Sequence, residues 1–90
     1  MTAKQVIYSG RVQGVGFRFT TRQIASGYEV NGWVKNLADG RVELQAMGEA
    51  DELDAFLTEI LESNLGSLIK EHEEKMIPPL TGQRGFTIVR

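Results

Sequence analysis

Gly10-Arg11-Val12-Gln13-Gly14-Val15-Gly16-Phe17-Arg18 joins two stretches of different period, and the reading of the fold starts there. Upstream, Gln5 to Val12 alternates, with Val6, Tyr8 and Val12 on one side and Gln5, Ser9 and Arg11 on the other, the pattern of a strand with one buried face. Downstream, Phe17, Thr21, Ile24 and Tyr28 recur at helical spacing, with Arg18 and Arg22 on an adjacent face. A strand therefore runs into a glycine-bearing loop that opens a helix. Glycines at 14 and 16 let the backbone take positive φ and turn several N–H groups toward one point. The amides of Gln13, Gly14, Val15, Gly16, Phe17 and Arg18 then form an anion cradle of the kind that suits phosphate. Arg18 adds a planar, permanently charged fork able to hold two oxygens, and the helix N-terminus adds unpaired N–H groups.

Two other glycine loops are excluded by residue identity. A dinucleotide-binding fingerprint needs a third glycine three residues after Gly16, where Phe19 stands, and the Walker A loop needs Gly-Lys followed by Ser or Thr, which does not occur. Glycine spacing by itself is also the mark of a plain turn, and Arg18 alone reads equally as a surface helix residue.

Further along, Val30 to Asn36 is β-rich, Ala38-Asp39-Gly40 supplies a tight turn, and Arg41 to Met47 alternates, with Val42, Leu44 and Ala46 facing one way. Leu53, Phe56, Leu57, Ile60 and Leu61 then repeat at i, i+3, i+4, i+7, i+8, with Glu49, Asp51 and Glu52 at the positive end of the helix dipole. The next stretch is ambiguous. Leu65, Leu68, Ile69, His72 and Met76 fit a helical stripe, yet Gly66-Ser67 makes a natural break and Pro78-Pro79 can end an extended segment as well as a helix. Phe86 to Val89 reads as a last short strand.

The second informative stretch is Asn31-Gly32-Trp33-Val34-Lys35-Asn36. Gly10-Arg11-Val12-Gln13-Gly14-Val15-Gly16-Phe17-Arg18 and Gly32-Trp33-Val34-Lys35-Asn36 together resemble the two signatures of the acylphosphatase family, in the same order and with a similar helix between them. The resemblance is densest over residues 6–48, and Gly85-Phe86-Thr87-Ile88 is similar to that family's last strand; residues 63–83 carry no motif. The resemblance implies a strand over residues 68–76. The order is then β-α-β-β-α-β with a short extra C-terminal strand, an α+β ferredoxin-like sandwich in which two helices cover one face of an antiparallel sheet. It also implies hydrolysis of the carboxyl–phosphate bond of acyl phosphates, with Arg18 and Asn36 as catalytic residues. The partners implied are an acyl phosphate substrate and inorganic phosphate as product and inhibitor, with no cofactor and no metal.

Composition is compatible with this. Ninety residues make one domain, able to bury about 60% of its unfolded surface, and residues 1–90 are read as that domain. Absence of cysteine removes thiol nucleophiles, thiolate metal sites and disulfides. The sole histidine, His72, lies in an acidic stretch and belongs to no spacing typical of metal ligands. A net charge of −2 disfavours a general nucleic-acid binder, although RNA-binding domains share the topology. Such domains stack bases on aromatic residues of the middle strands, whereas Tyr8 and Trp33 are the sole candidates here and Val42–Met47 has none. No apolar run approaches the roughly 20 residues of a membrane span, and no leader-like segment opens the chain, so a cytoplasmic protein without membrane partner, acting as a monomer, is expected.

The chemistry asks little of such a site. The leaving group of an acyl phosphate is a carboxylate, so no strong general acid is needed. The protein must hold the phosphoryl group, offset charge on its equatorial oxygens and place one water in line. The cradle and Arg18 meet the first two needs. The carboxamide oxygen of Asn36 can accept a hydrogen bond from the water, though asparagine at that point serves equally well as the start of the hairpin turn. A non-catalytic anion-binding domain is the alternative function. An acylphosphatase-like domain also opens the hydrogenase-maturation carbamoyltransferases, whose further domains a chain of this length does not hold.

Overall fold

The alternating stretches become strands because each can turn one set of side chains into a common core. In the computed structural model, which describes residues 1–90, β1 (Thr2–Gly10) is followed by α1 (Phe17–Ala25), β2 (Val30–Asn36), β3 (Val42–Gly48) and α2 (Ala50–Glu62). A single 3-10 turn at Gly66–Leu68 then leads into β4 (Ile69–Ile77) and, last, β5 (Phe86–Val89). The strands lie in the order β4-β1-β3-β2-β5.

One continuous core joins sheet and helices. Val6 and Tyr8 from β1, Val30 and Val34 from β2, and Val42, Leu44 and Ala46 from β3 meet Leu53, Phe56, Leu57 and Ile60 of α2 and Phe17 and Ala25 of α1. Tyr8 and Phe17 touch at 5.2 Å between ring centroids, which fixes the start of α1 against the end of β1. Alternation is complete in β3, every second residue being buried, and holds in β2 from Val30 to Val34, after which Asn36 is half-buried. Side chains at these positions bury fully, at about 1.5–3 kcal/mol for each Val, Leu or Phe.

Four details depart from the sequence reading. β1 starts earlier and ends at Gly10 rather than Val12, because φ at Gly10 is 126° and the β1–β4 register shifts between Ser9 and Gly10; Val12 stays buried beyond the strand. α1 stops at Ala25, short of Tyr28, whose hydroxyl instead reaches across to donate to the Glu59 carboxylate of α2. Leu61, expected in the buried stripe, is half-buried. The fifth strand pairs in parallel with β2, from Gly32↔Phe86 to Lys35↔Val89, so an otherwise antiparallel sheet ends in one parallel edge. The chain leaves β4 at one edge and returns at the other, and a strand entering from that end runs alongside β2.

Residues 69–77 are a strand, as the family resemblance implied and the helical stripe did not. β4 pairs antiparallel with β1 from Ala3↔Ile77 to Gly10↔Ile69 and buries no side chain fully. Its charged outer edge, Lys70 to Lys75, is of the kind that discourages further pairing. No helix is long and apolar enough to cross a membrane.

Candidate active site

Pairing geometry brings the two halves of the site to one end of the sheet. β1 and β2 flank β3 and both run antiparallel to it, so their C-terminal ends coincide; Val42 is the register partner of Tyr8 on one side and of Asn36 on the other. The loop leaving β1 and the last residue of β2 are thus separated by one intervening strand, about 10 Å at 4.7–4.9 Å per strand spacing.

Within the loop, φ is 74° at Gly14 and 78° at Gly16. A Cβ at either position would meet nothing within 4 Å, so glycine is required there by backbone conformation and not by space. Gly16 is the residue preceding α1, and it offers no side chain to cap the helix; nor does an acidic residue occupy the first turn. In α2, by contrast, Asp51 and Glu52 occupy the first turn. The N–H groups of Gly14 through Phe19 accordingly donate to no carbonyl or side chain of the protein. They are concentrated where the helix dipole is positive, the arrangement that favours an anion.

Arg18 is the second residue of α1 and is half-exposed. The ion pairs in the protein are made by Lys4, Arg41 and His72, leaving the Arg18 guanidinium without a carboxylate. Gly14, Gly16, Phe17, Arg18 and Asn36 line a single cavity of about 200 Å³. Val12, Phe19 and Ile88 complete its wall, and no carboxylate, histidine or thiol faces it. No three His, Asp or Glu side chains are grouped so that they could hold a metal ion. Behind the loop, burial and then the Glu74 charge push the Tyr8 phenol far above its ordinary range, so it stays protonated.

At Asn36 the carboxamide oxygen is buried and accepts no hydrogen bond from the protein. Leaving an acceptor unsatisfied costs about 1–3 kcal/mol, so such a group calls for an explanation, and a working role is one; Thr21 Oγ1 in the core is the other buried side-chain atom without a partner. The turn after it is held independently. Leu37 N–H donates to Arg41 O at 2.8 Å, Gly40 N–H to Leu37 O at 3.2 Å, and the Asp39 carboxylate accepts from Arg41 N–H at 3.1 Å and Nε at 2.8 Å. The Arg41 backbone N–H, ahead of its side chain, lowers the Asp39 pKa.

The sequence of this chain matches the acylphosphatase family over residues 4–88. The chain belongs to the acylphosphatase family. It is 38% identical to an acylphosphatase of Methanospirillum hungatei over 90 residues, covering 100% of this chain and 99% of that one. It superposes on the crystal structure of acylphosphatase from Bacillus subtilis with a TM-score of 0.90 and 36% identity, each chain being covered in full. It also matches HypF of T. kodakarensis, TM-score 0.85 at 33% identity, with all of this chain covering 12% of that one. Hydrolysis of the acid anhydride of an acyl phosphate, releasing phosphate, is the activity that follows for this acylphosphatase domain.

Of the residues singled out in the sequence, Gly14, Gly16, Phe17, Arg18 and Asn36 meet around the cavity, whereas Gln13 and Val15 do not line it. Val15 projects outward, and the Gln13 side chain turns away toward the hairpin. Sequence reasoning missed Phe19 and Ile88 as walls. The signal for Phe19 was an apolar residue off the buried stripe of α1, where it is 54% exposed with the Arg22 guanidinium 5.8 Å from its ring centre. For Ile88 no local signal exists, because β5 reaches the site solely through its pairing with β2.

Proposed function

We propose that this acylphosphatase holds the substrate's phosphoryl group on the amides of residues 13–18 and the Arg18 guanidinium, while Asn36 orients the attacking water. One observation carries the reading: Arg18, which has no carboxylate partner, Gly14, Gly16 and Phe17, whose amides are free, and Asn36, whose carboxamide oxygen is unsatisfied, all line one cavity. Each supplies something the reaction needs. The amides and Arg18 match the charge of the phosphoryl oxygens, and they gain as that charge is redistributed in the transition state. The Asn36 oxygen accepts a proton-bearing edge of water and so directs a lone pair along the line of attack. The carboxylate departs as an anion without needing a proton from the protein.

Residues 1–90 are taken as one working unit, and a monomer is the simplest assembly for a reaction whose proposed groups all lie at one end of one sheet. A chain without cysteine gains nothing from an oxidising compartment, which favours the cytoplasm.

Steady-state hydrolysis of benzoyl phosphate in EDTA tests the proposal. Arg18→Gln should lose about a hundredfold or more in turnover and weaken inhibition by inorganic phosphate, since the guanidinium contacts ground and transition states alike. Unchanged phosphate inhibition would remove Arg18 from the site.

A further inference from the structure

The Gln13 side chain is placed where it can govern Asn36. Its Nε2 donates to Leu37 O at 2.8 Å and to Arg41 O at 2.9 Å, using both amide hydrogens on the pair of residues that closes the turn after β2. Because both partners are carbonyls, the NH2 end of the carboxamide must be the one that faces them. Leu37 is the residue next to Asn36, so this fork holds the peptide into which Asn36 runs. No other hydrogen bond links residues 11–16 to residues 37–41. On its other side Gln13 adjoins Gly14, the first left-handed residue of the loop.

We propose that Gln13 is a positioning residue, its carboxamide acting as a strut that sets the distance between the phosphate cradle and Asn36. The inference rests on the reading in which Asn36 orients the water. The cradle sits on α1 and the water on β2, so in-line attack depends on how these two elements are spaced. Nothing in the sheet ladder fixes that spacing at the level of the reacting atoms, because β1 and β2 are not neighbours. A displacement of about 1 Å can cost a hundredfold in rate. Glutamine suits the task. It offers two N–H donors in a rigid fork without charge, whereas a carboxylate would face two carbonyl oxygens and be repelled.

The test is a double-mutant cycle on benzoyl phosphate turnover, with inorganic phosphate inhibition as the second reading. Gln13→Met keeps the volume and removes the donors. It should lower kcat by roughly ten- to a hundredfold, with the phosphate inhibition constant within about threefold of the parent. Combined with Asn36→Ala it should cost almost nothing further, because there is no longer a water contact to misplace. An unchanged kcat overturns the proposal. So does a full additional loss in the Asn36→Ala background, or a parallel loss of phosphate binding, which would confine Gln13 to the cradle. Should Gln13→Met fail to fold, Gln13→Ala carries the same cycle, since it also lacks the donors and makes no steric demand; parental kcat there also overturns the strut. If Asn36→Ala alone leaves turnover intact, the failure lies in the reading of Asn36 and is recognisable as such.

Discussion

Replacing Asn36 with alanine should move activity and stability in opposite directions. The carboxamide oxygen is buried without a hydrogen-bond partner in the protein, so its removal relieves a penalty of about 1–3 kcal/mol. Against this stands the loss of a carboxamide of three heavy atoms, of which the single carbon counts as roughly one methylene of apolar burial, about 0.8 kcal/mol. The net is a gain of about 0 to 2 kcal/mol, which for a domain of this size raises Tm by anything from nothing to roughly 10 °C. Turnover, by contrast, should fall by about a hundredfold or more, equivalent to about 2.7 kcal/mol of lost transition-state stabilisation. Phosphate inhibition should hardly change, since the cradle and Arg18 are untouched. Three measurements on one protein decide it: the initial rate of benzoyl phosphate hydrolysis, the inhibition constant of phosphate, and thermal melting followed by circular dichroism. A fall of more than about 10 °C in Tm accompanying the lost activity would make Asn36 a structural residue of the turn, and a rate within a few-fold of the parent would make it a bystander. Either refutes the reasoning, because a group kept unsatisfied for catalysis cannot also be what holds the hairpin together.

Other expectations follow from the same geometry. Arg18→Lys should restore part of the phosphate inhibition lost in Arg18→Gln yet leave turnover below the parent, since a point charge on a flexible stem does not reproduce two parallel hydrogen bonds. Gly16→Ala meets open space but must hold a left-handed φ, so urea unfolding should show a loss of about 1–2 kcal/mol; D-alanine introduced by chemical synthesis should restore stability, and no loss with L-alanine would show that the loop can relax. Tyr8 is raised in the folded protein above the ordinary value of 10.0, mainly by burial. Its contribution to stability is therefore fully present below pH 10 and is lost as pH rises beyond it, by up to about 1.4 kcal/mol per unit; Tyr8→Phe should flatten that alkaline loss in denaturant titrations, and an unchanged slope would refute the assignment. A simple alkyl phosphate monoester should be nearly inert beside benzoyl phosphate, because no acid faces the cavity to protonate an alkoxide; comparable rates would require a proton donor the site lacks.

Several features of this protein are decided by local chemistry and so are written in the chain. Gly14 and Gly16 stand where φ is positive, and no neighbouring structure is needed to know that glycine tolerates it. The alternation of Val42, Leu44 and Ala46 and the stripe of Leu53, Phe56, Leu57 and Ile60 report faces that any fold of this sequence would have to bury. With the family resemblance, these sufficed for the order of elements and for naming Arg18 and Asn36. Other features have no local cause. Residues 69–77 are exposed along nearly their whole length, so burial imposes no period on them, and they are a strand because β1 presents an unpaired edge. β5 is parallel to β2 because of the edge to which the chain returns. The meeting of Arg18 with Asn36 depends on β3, whose Val42 pairs with the ends of both flanking strands and so brings together residues that the sequence keeps a helix and a strand apart. The reach of Gln13 to Leu37 and Arg41 depends on that same juxtaposition, since a side chain's hydrogen-bond partners across 24 and 28 residues are set by where the backbone goes and not by what surrounds the residue in the chain.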